Sequence, residues 1–360
     1  MGVYYITALI TYITAWLAQH VRFRHFEINS LLKNKKKTNK FFVFLTTTVL
    51  VCVAGLRWGV GTDYWQYSLN YYKYIETDNL WQSIIDYDEP GIYLLAKVSS
   101  WIHNDYSSMF FVISGVTIIL FIITISKHSN MFAFSILLFL FIGSWHGSFN
   151  GLRQYLACAV LFAGHRYIIE RKLLKYTFVV LLASAFHTTA LVMFALYFVP
   201  IKKIGLKQIT FLIVVSVTLL YSYNFVMTFV ERLLGNPISS DPYITNEVNF
   251  LRVAVTFAPL LLYTFLTVKN KLKNEDMFYI NILFVNAALM FATSGSAYLA
   301  RIGIYTNIYA TLSYPRLLQF QDKKLELIIK FIIVIFYAFY WNLAISGSDN
   351  LSNFQWIFNR

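Results

Sequence analysis

Apolar stretches of about 20 residues recur along the whole chain and constrain its fold more than any other feature. A helix of about 20 mostly apolar residues crosses the hydrocarbon core of a bilayer, so each stretch is a candidate span. Only 13% of the residues are charged, against about 25% in soluble domains. The sequence therefore predicts an all-α polytopic membrane protein, with residues 1–360 forming a single integral membrane domain. About ten spans are expected, near residues 3–19, 41–57, 107–126, 131–148, 151–169, 208–230, 250–268, 277–295, 298–314 and 331–347.

Basic residues orient these spans, because cytoplasmic loops carry an excess of lysine and arginine. The segment 22–40 contains seven Lys/Arg and one Glu, which predicts that it is cytoplasmic and that the N-terminus is outside. Alternating the spans from there leaves 22 of the 30 basic residues inside and eight outside. The acidic residues divide the other way, with six inside and eleven outside. The same alternation places the C-terminus outside.

Two apolar pieces are too short for ordinary spans. Residues 176–199 have basic flanks on both sides, so a single crossing would invert every later loop. A re-entrant helical pair, or two short spans, resolves this if the chain turns at Ser184–Thr189, with His187 near the tip. Residues 91–102 follow Glu89-Pro90-Gly91 within the outer loop 58–106, and proline favours the first turn of a helix. We expect a short amphipathic helix on the outer face there, and a second outer loop at 231–249.

Four arginines lie within about one helical turn of predicted outer span ends. Arginine makes bidentate contacts to phosphate and carboxylate groups, and charges at membrane boundaries are costly enough to suggest function. Snorkelling, or an ion pair with an outer acid, is the alternative explanation for any one of them. Taken together they predict a site for an anionic ligand, formed by Arg57, Arg153, Arg252 and Arg301.

The predicted outer face also combines carboxylates with aromatic rings. Asp63 follows two glycines and precedes a tyrosine-rich segment, and Glu89 precedes the next helix. An interfacial aromatic belt would account for the rings; a carbohydrate site would account for the rings and the acids together. Candidate sugar-binding residues are Tyr64, Trp65, Tyr67, Gln154 and His146. His146 and His187 could equally be packed, hydrogen-bonded histidines.

Several classes of site are absent from the sequence. It has no phosphate-binding P-loop, no HExxH motif and no CxxC pair, so we expect no metal and no cofactor. Asp86-Tyr87-Asp88 is a short DxD-like segment of a kind that is common by chance, and metal binding there is the alternative to this expectation. The net charge of +13 reflects membrane orientation, and no nucleic-acid partner is expected.

Four motifs, taken in order, resemble the EpsG-like branch of Wzy-type polysaccharide polymerases. They are Arg57 with Gly61-Thr62-Asp63-Tyr64 and Tyr67, then Glu89-Pro90-Gly91, then Leu152-Arg153-Gln154-Tyr155-Leu156-Ala157, then Phe186-His187-Thr188-Thr189-Ala190-Leu191. The resemblance covers about residues 55–195. It implies a glycosyltransferase of the bacterial plasma membrane that joins undecaprenyl-pyrophosphate-linked oligosaccharide repeats into O-antigen, capsule or exopolysaccharide, without a nucleotide cofactor. A protein that regulates chain length is a possible partner.

A transfer of this kind must stabilise the departing pyrophosphate and activate an acceptor hydroxyl. We assign the first task to Arg57, Arg153 and Arg301, followed by Arg252. Asp63 is the first choice for the base, with Glu89 and His187 behind it. His187 could instead hydrogen-bond the pyrophosphate, and either an inverting or a retaining route is open. Rival functions are a flippase or transporter, a glycan ligase or O-acyltransferase, and a structural membrane component.

Overall fold

The protein is described by a computed structural model in which the chain is helical and forms no β-sheet in the described parts. These are residues 1–21, 38–76, 89–234, 247–266, 272, 274–319 and 321–360. Predictions for 22–37, for Asp86-Tyr87-Asp88 and for most of the outer loop 231–249 lie outside the described residues. The all-α class predicted from the sequence is confirmed over the described residues.

The chain divides into two compact units, the first formed by Met1–Tyr197 with Gln321–Arg360 and the second by Phe198–Phe320. A single integral domain therefore stays a prediction. Helices of the first unit are α1 (Gly2–His20), α2 (Lys40–Gly55), α3 (Tyr64–Glu76), α4 (Pro90–Ile102), α5 (Tyr106–His128), α6 (Phe132–Phe141), α7 (Ser144–Asn150), α8 (Leu152–Gly164), α9 (Arg166–Ile169), α10 (Leu173–Ser184), the 3-10 helix Thr188–Phe198, α16 (Lys323–Ser346), α17 (Asp349–Ser352) and the 3-10 turn Ile357–Asn359. Those of the second unit are α11 (Leu206–Leu234), α12 (Phe250–Phe265), α13 (Asn274–Ala292), the 3-10 helix Leu299–Gly303, α14 (Ile304–Asn307) and α15 (Ala310–Leu318).

Membrane-crossing potential is clearest in three apolar segments of the described chain. Tyr106–His128, Phe132–Asn150 and Lys323–Ser346 are long and apolar enough to cross a bilayer. The shorter apolar helices of the described residues overlap the predicted spans 41–57, 208–230, 250–268 and 277–295 and the predicted pair 176–199. They are Lys40–Gly55, Leu173–Ser184, Thr188–Phe198, Leu206–Ser222, Phe250–Phe265 and Asp276–Ala292. The count of about ten spans therefore stays a prediction.

The segment 176–199 is interrupted near the predicted place. Helix α10 ends at Ser184, and a 3-10 helix begins at Thr188, so His187 lies in the short connection. Whether this pair enters the membrane and returns to the same side stays a prediction. Helix α4 begins at Pro90, which confirms the helix expected after Glu89.

The C-terminal segment packs on the turn that follows α2. The backbone N–H of Trp58 donates to the Gln355 carbonyl at 2.9 Å, and the N–H of Ile357 donates to the Leu56 carbonyl at 2.8 Å. Within that turn Gly61 has a φ of +114°, a backbone region that favours glycine. The side-chain oxygen of Asn150 accepts the Thr62 N–H at 2.9 Å. These three hydrogen bonds fix the turn that carries Asp63.

Candidate functional site

Three sequence-predicted residues meet at the carboxylate of Glu89. One oxygen, Oε2, accepts a hydrogen bond from Nη1 of Arg153 in an ion pair. The other, Oε1, lies 2.6 Å from Nδ1 of His187 and accepts the Thr188 backbone N–H at 3.2 Å. Glu89 and His187 are 98 residues apart in the sequence, and Glu89 and Arg153 are 64 residues apart. The fold brings their side chains into contact. We name this set of three side chains the Glu89 cluster.

Gly91 allows the close approach that forms the cluster. Its N–H donates to the Ala185 carbonyl at 2.8 Å, at the end of α10. A Cβ on Gly91 would lie 2.7 Å from the Phe186 ring and 2.8 Å from the Ala185 oxygen. Only glycine lets the start of α4 dock here without a shift, and this docking holds Glu89 against His187.

The Glu89 carboxyl group is held in its ionised form. Its side chain is 11% exposed, and burial alone would disfavour the charge. The hydrogen bond with His187, the Arg153 charge and the Thr188 N–H outweigh that burial and hold the pKa of Glu89 below its ordinary value. The cluster therefore contains a fixed carboxylate at neutral pH.

Arg153 remains partly open although it is paired. Its side chain is 37% exposed, and its guanidinium carbon lies 5.7 Å from the centre of the Tyr67 ring. Arginine has five N–H donors, so the contact with Glu89 leaves others for a second anion. Among the predicted arginines in the first unit, Arg153 is the one placed to take a ligand from solvent.

Asp63 and Arg153 both act on Tyr67. Burial raises the pKa of Tyr67, the Arg153 charge lowers it and the Asp63 charge raises it further. The Asp63 side chain is half-buried, and within the described residues nothing forms a hydrogen bond or ion pair with its carboxylate. Asp63 is therefore a carboxylate without an internal partner in this part of the chain, near the Glu89 cluster.

Arg57 occupies a different environment from the one expected. Its side chain is 1% exposed, and its guanidinium donates to the carbonyls of Ala54, Val60 and Phe149. The Phe149 and Phe110 rings lie 4.7 and 5.0 Å from its charged carbon. Its donors are directed at protein groups in this structure, and its role as a pyrophosphate ligand stays a prediction. Arg57 instead links the end of α2 to α7.

Two of the tyrosines of α3 are more buried than a sugar-binding role would require. Tyr64 and Tyr67 are buried, and Tyr64 stacks on Phe110 with ring centres 4.3 Å apart. Their faces are covered by the core, so the structure does not present them to a sugar. Trp65 is 51% exposed and meets Trp58 edge to face at 5.8 Å. Trp65 is the predicted ring that can receive a sugar face.

His146 and Gln154 are also buried. Nδ1 of His146 has no hydrogen-bond partner among the described residues, and Gly143, one turn earlier, has a φ of +91°. Neither side chain opens to solvent in this structure, which agrees with the packed alternative for His146. Both residues stay predictions as sugar ligands.

Arg252 and Arg301 belong to the second unit. Nη2 of Arg252 donates to the Ala300 carbonyl at 3.3 Å, directly beside Arg301 in the chain. This contact brings the two arginine-bearing segments of that unit together. The convergence of all four arginines on one ligand stays a prediction.

Sequence reasoning named the members of the Glu89 cluster and missed the contacts that assemble it. Thr188 contributes a backbone N–H, which no side-chain pattern reveals. The Glu-Pro-Gly motif was the available signal for Gly91, since a glycine beside a candidate acid permits close approach of another backbone. Among the described residues, no three His, Cys, Asp or Glu side chains group as metal ligands.

Comparison with known proteins identifies the family. The sequence model of the EpsG family matches residues 40–357. No curated protein matches the chain, and no solved structure matches it. The family match spans all four motifs and every residue of the Glu89 cluster. The chain, an all-helical protein with apolar membrane-type segments, belongs to the EpsG family.

Proposed function

We propose that this protein is a polysaccharide polymerase of the bacterial plasma membrane. It transfers a growing glycan from undecaprenyl pyrophosphate to the non-reducing end of another lipid-linked repeat, on the outer face of the membrane. Membership of the EpsG family and the apolar helices support this proposal. The observation that carries it is the Glu89 cluster, where a partly exposed arginine adjoins a carboxylate–imidazole pair.

Arg153 suits the leaving group of this reaction. Breaking the bond between the anomeric carbon and the pyrophosphate leaves negative charge on phosphate oxygens. A guanidinium fixed before the reaction stabilises that charge without reorganising. Glu89 holds Nη1 of Arg153 in place. Nε is buried and Tyr67 shares a side-chain hydrogen bond with the guanidinium, so the phosphate oxygens would bind the donors that remain. A pyrophosphate-binding role for Arg252 and Arg301 stays a prediction from the sequence.

The acceptor hydroxyl needs a base and a binding surface. Asp63 has no internal partner among the described residues, and His187 is part of the Glu89 cluster. Trp65 offers an exposed ring to a sugar. The substrates and the product are lipid-anchored, so the surrounding bilayer and a chain-length regulator are the expected partners. Both termini then lie outside.

Polymer length in cells tests the proposal. In a strain that lacks the gene, wild-type protein should restore a ladder of glycan lengths. Arg153→Ala should leave single-repeat glycan while the protein still reaches the membrane. Arg166→Ala is the matched control, because Arg166 is exposed and forms a surface pair with Glu170, and it should restore the ladder. A normal ladder from Arg153→Ala would contradict the assignment.

A further inference from the structure

We infer that Glu89 is a positioning residue that fixes the His187 ring, so that Nε2 of His187 is the base that deprotonates the acceptor hydroxyl. This inference rests on the proposed function and deepens it. It assigns the proton transfer to His187 rather than to Asp63, and it removes Glu89 from the set of possible bases.

Geometry around the carboxylate defines the ring's tautomer. Oε1 of Glu89 lies 2.6 Å from Nδ1 of His187. An ionised carboxylate only accepts hydrogen bonds, so the neutral imidazole must carry its proton on Nδ1. The lone pair then lies on Nε2. A partner that orients the first nitrogen and leaves the second for chemistry is the arrangement that general-base histidines require.

Glu89 itself is unsuited to the task. Its Oε1 also accepts the Thr188 N–H at 3.2 Å, and its Oε2 accepts from Arg153. The side chain is only 11% exposed. These contacts stabilise its charged form, and a carboxylate stabilised in this way is a weak proton acceptor. Glu89 instead holds the His187 ring through Nδ1.

His187 is partly exposed, and its second ring nitrogen is not used by the Glu89 contact. The side chain is 22% exposed, and among the described residues nothing bonds to its Nε2. The backbone of His187 is also held in place. Its N–H donates to the Ala183 carbonyl, and its carbonyl accepts the Ala190 N–H. Through Glu89, this base lies in the same cluster as Arg153, the proposed pyrophosphate ligand.

The proposed transfer conserves atoms and charge. The acceptor oxygen forms a bond to the anomeric carbon while its proton moves to Nε2 of His187. The bond from the anomeric carbon to the pyrophosphate oxygen breaks, and its electron pair leaves on the pyrophosphate, next to Arg153. His187 returns to the neutral form by releasing its proton to solvent before the next addition.

Nitrogen NMR of the resting protein tests the positioning role without any activity. In protein with ¹⁵N-labelled histidine, reconstituted in lipid nanodiscs, the signals absent from His187→Gln are assigned to His187. The neutral ring should show Nδ1 protonated and Nε2 unprotonated, and Glu89→Ala should abolish this preference. A ring protonated on Nε2 in the wild-type protein would overturn the inference.

Kinetics of chain extension test the role of the base. His187→Gln should lower the extension rate about 10²- to 10⁴-fold, the usual contribution of a general base, with a much smaller change in KM. Glu89→Gln should lower it about 10- to 100-fold, the size of effect seen when a residue that orients a metal-binding histidine is changed. Glu89→Asp should recover part of that loss.

Matched controls come from histidine and glutamate side chains away from the cluster. His103→Gln and Glu170→Gln change exposed residues and should extend chains at the wild-type rate. Near-normal extension by His187→Gln together with abolished extension by Asp63→Asn would overturn the inference in favour of Asp63. Wild-type protein that extends no chain would refute the proposed function and with it the base role, whereas the NMR result decides the Glu89–His187 orientation independently.

Discussion

At the residue scale, the pairing of Arg153 with Glu89 determines which guanidinium donors are left for a ligand. One guanidinium nitrogen serves Glu89, and the planar fork presents its other donors in a fixed direction. A lysine ammonium could form the same ion pair, but it would offer a single point charge. Replacing Arg153 by lysine would therefore keep the ion pair with Glu89 and remove the bidentate contact with a ligand.

Arg153→Lys should give a partial defect in polymer length. Losing one charged hydrogen bond to the departing phosphate costs about 1.5–3 kcal/mol, which corresponds to about a 10- to 100-fold lower rate. Polymer from this variant should be shorter than wild type and longer than that from Arg153→Ala. Gel analysis of glycan extracted from cells measures this order, and equal polymer from Lys and Arg would argue against bidentate binding.

Glu89 should make the protein's stability depend on pH. Its pKa is lowered from the ordinary 4.5, so the ionised group stabilises the fold above that value, and the stabilisation is lost as the pH falls through the lower folded value. Glu89→Gln should therefore have a free energy of unfolding about 1–3 kcal/mol lower than wild type at pH 7. The difference should shrink below about pH 4.5.

Thermal unfolding in nanodiscs at pH 7, 5 and 3.5 measures that difference. Glu170→Gln is the control, because Glu170 forms exposed ion pairs that contribute little to stability. A gap between Glu89→Gln and wild type that stays constant with pH would show that the Glu89 charge does not stabilise the fold.

At the scale of elements, the contact between α4 and the end of α10 assembles the site. Gly91 lies against Ala185 and Phe186, and the residues on either side of this contact are Glu89 and His187. A shift of α4 would therefore separate the carboxylate from the imidazole. The two halves of the cluster depend on one glycine.

Gly91→Ala should weaken both the fold and the polymerase. The added methyl would lie within 2.8 Å of a backbone oxygen and an aromatic ring, and such overpacking costs about 1–3 kcal/mol. Gly115→Ala is the matched control, because its Cβ would meet only Val51, at an ordinary 3.7 Å. Melting temperature and glycan length should fall for Gly91→Ala alone; equal behaviour of the two variants would exclude close docking at Gly91.

The sequence predicts these elements better than it predicts their contacts. The Glu-Pro-Gly motif identifies the start of α4 because proline favours the first turn of a helix. The basic flanks of 176–199 identify the interruption near His187 because one crossing would invert every later loop. The burial of Arg57 could not be foreseen, since it depends on Phe110 and Phe149 from distant helices. Sequence spacing likewise cannot show that Glu89 joins Arg153 to His187.

At the scale of the whole molecule, contacts in the first unit join residues that the charge count assigns to one side of the membrane, and which side that is stays a prediction. Asp105 pairs with Arg360 at 3.0 Å, Glu89 pairs with Arg153, and Arg57 forms an isolated β-bridge with Trp356. Every one of these residues is predicted to lie outside. Groups assigned to one side of the membrane by counting charges thus meet in space.

Single-cysteine labelling tests that orientation. In a background with Cys52→Ala and Cys158→Ala, His103→Cys should react with a membrane-impermeant maleimide in intact spheroplasts. Lys172→Cys should react only after the membrane is permeabilised. Both positions are exposed, so burial cannot explain a difference. The reverse pattern would invert the topology and place the Glu89 cluster on the cytoplasmic side, away from the proposed substrate.

The most direct measurement is the reaction of purified protein with one defined lipid-linked repeat in nanodiscs. Wild-type protein should convert single repeats into a ladder without added nucleotide or proton gradient, and it should release one lipid pyrophosphate for each new linkage. Arg153→Ala should do neither, while Arg166→Ala should match wild type. Absence of a ladder from wild-type protein, or an equal ladder from Arg153→Ala, would contradict a polymerase built on the Glu89 cluster.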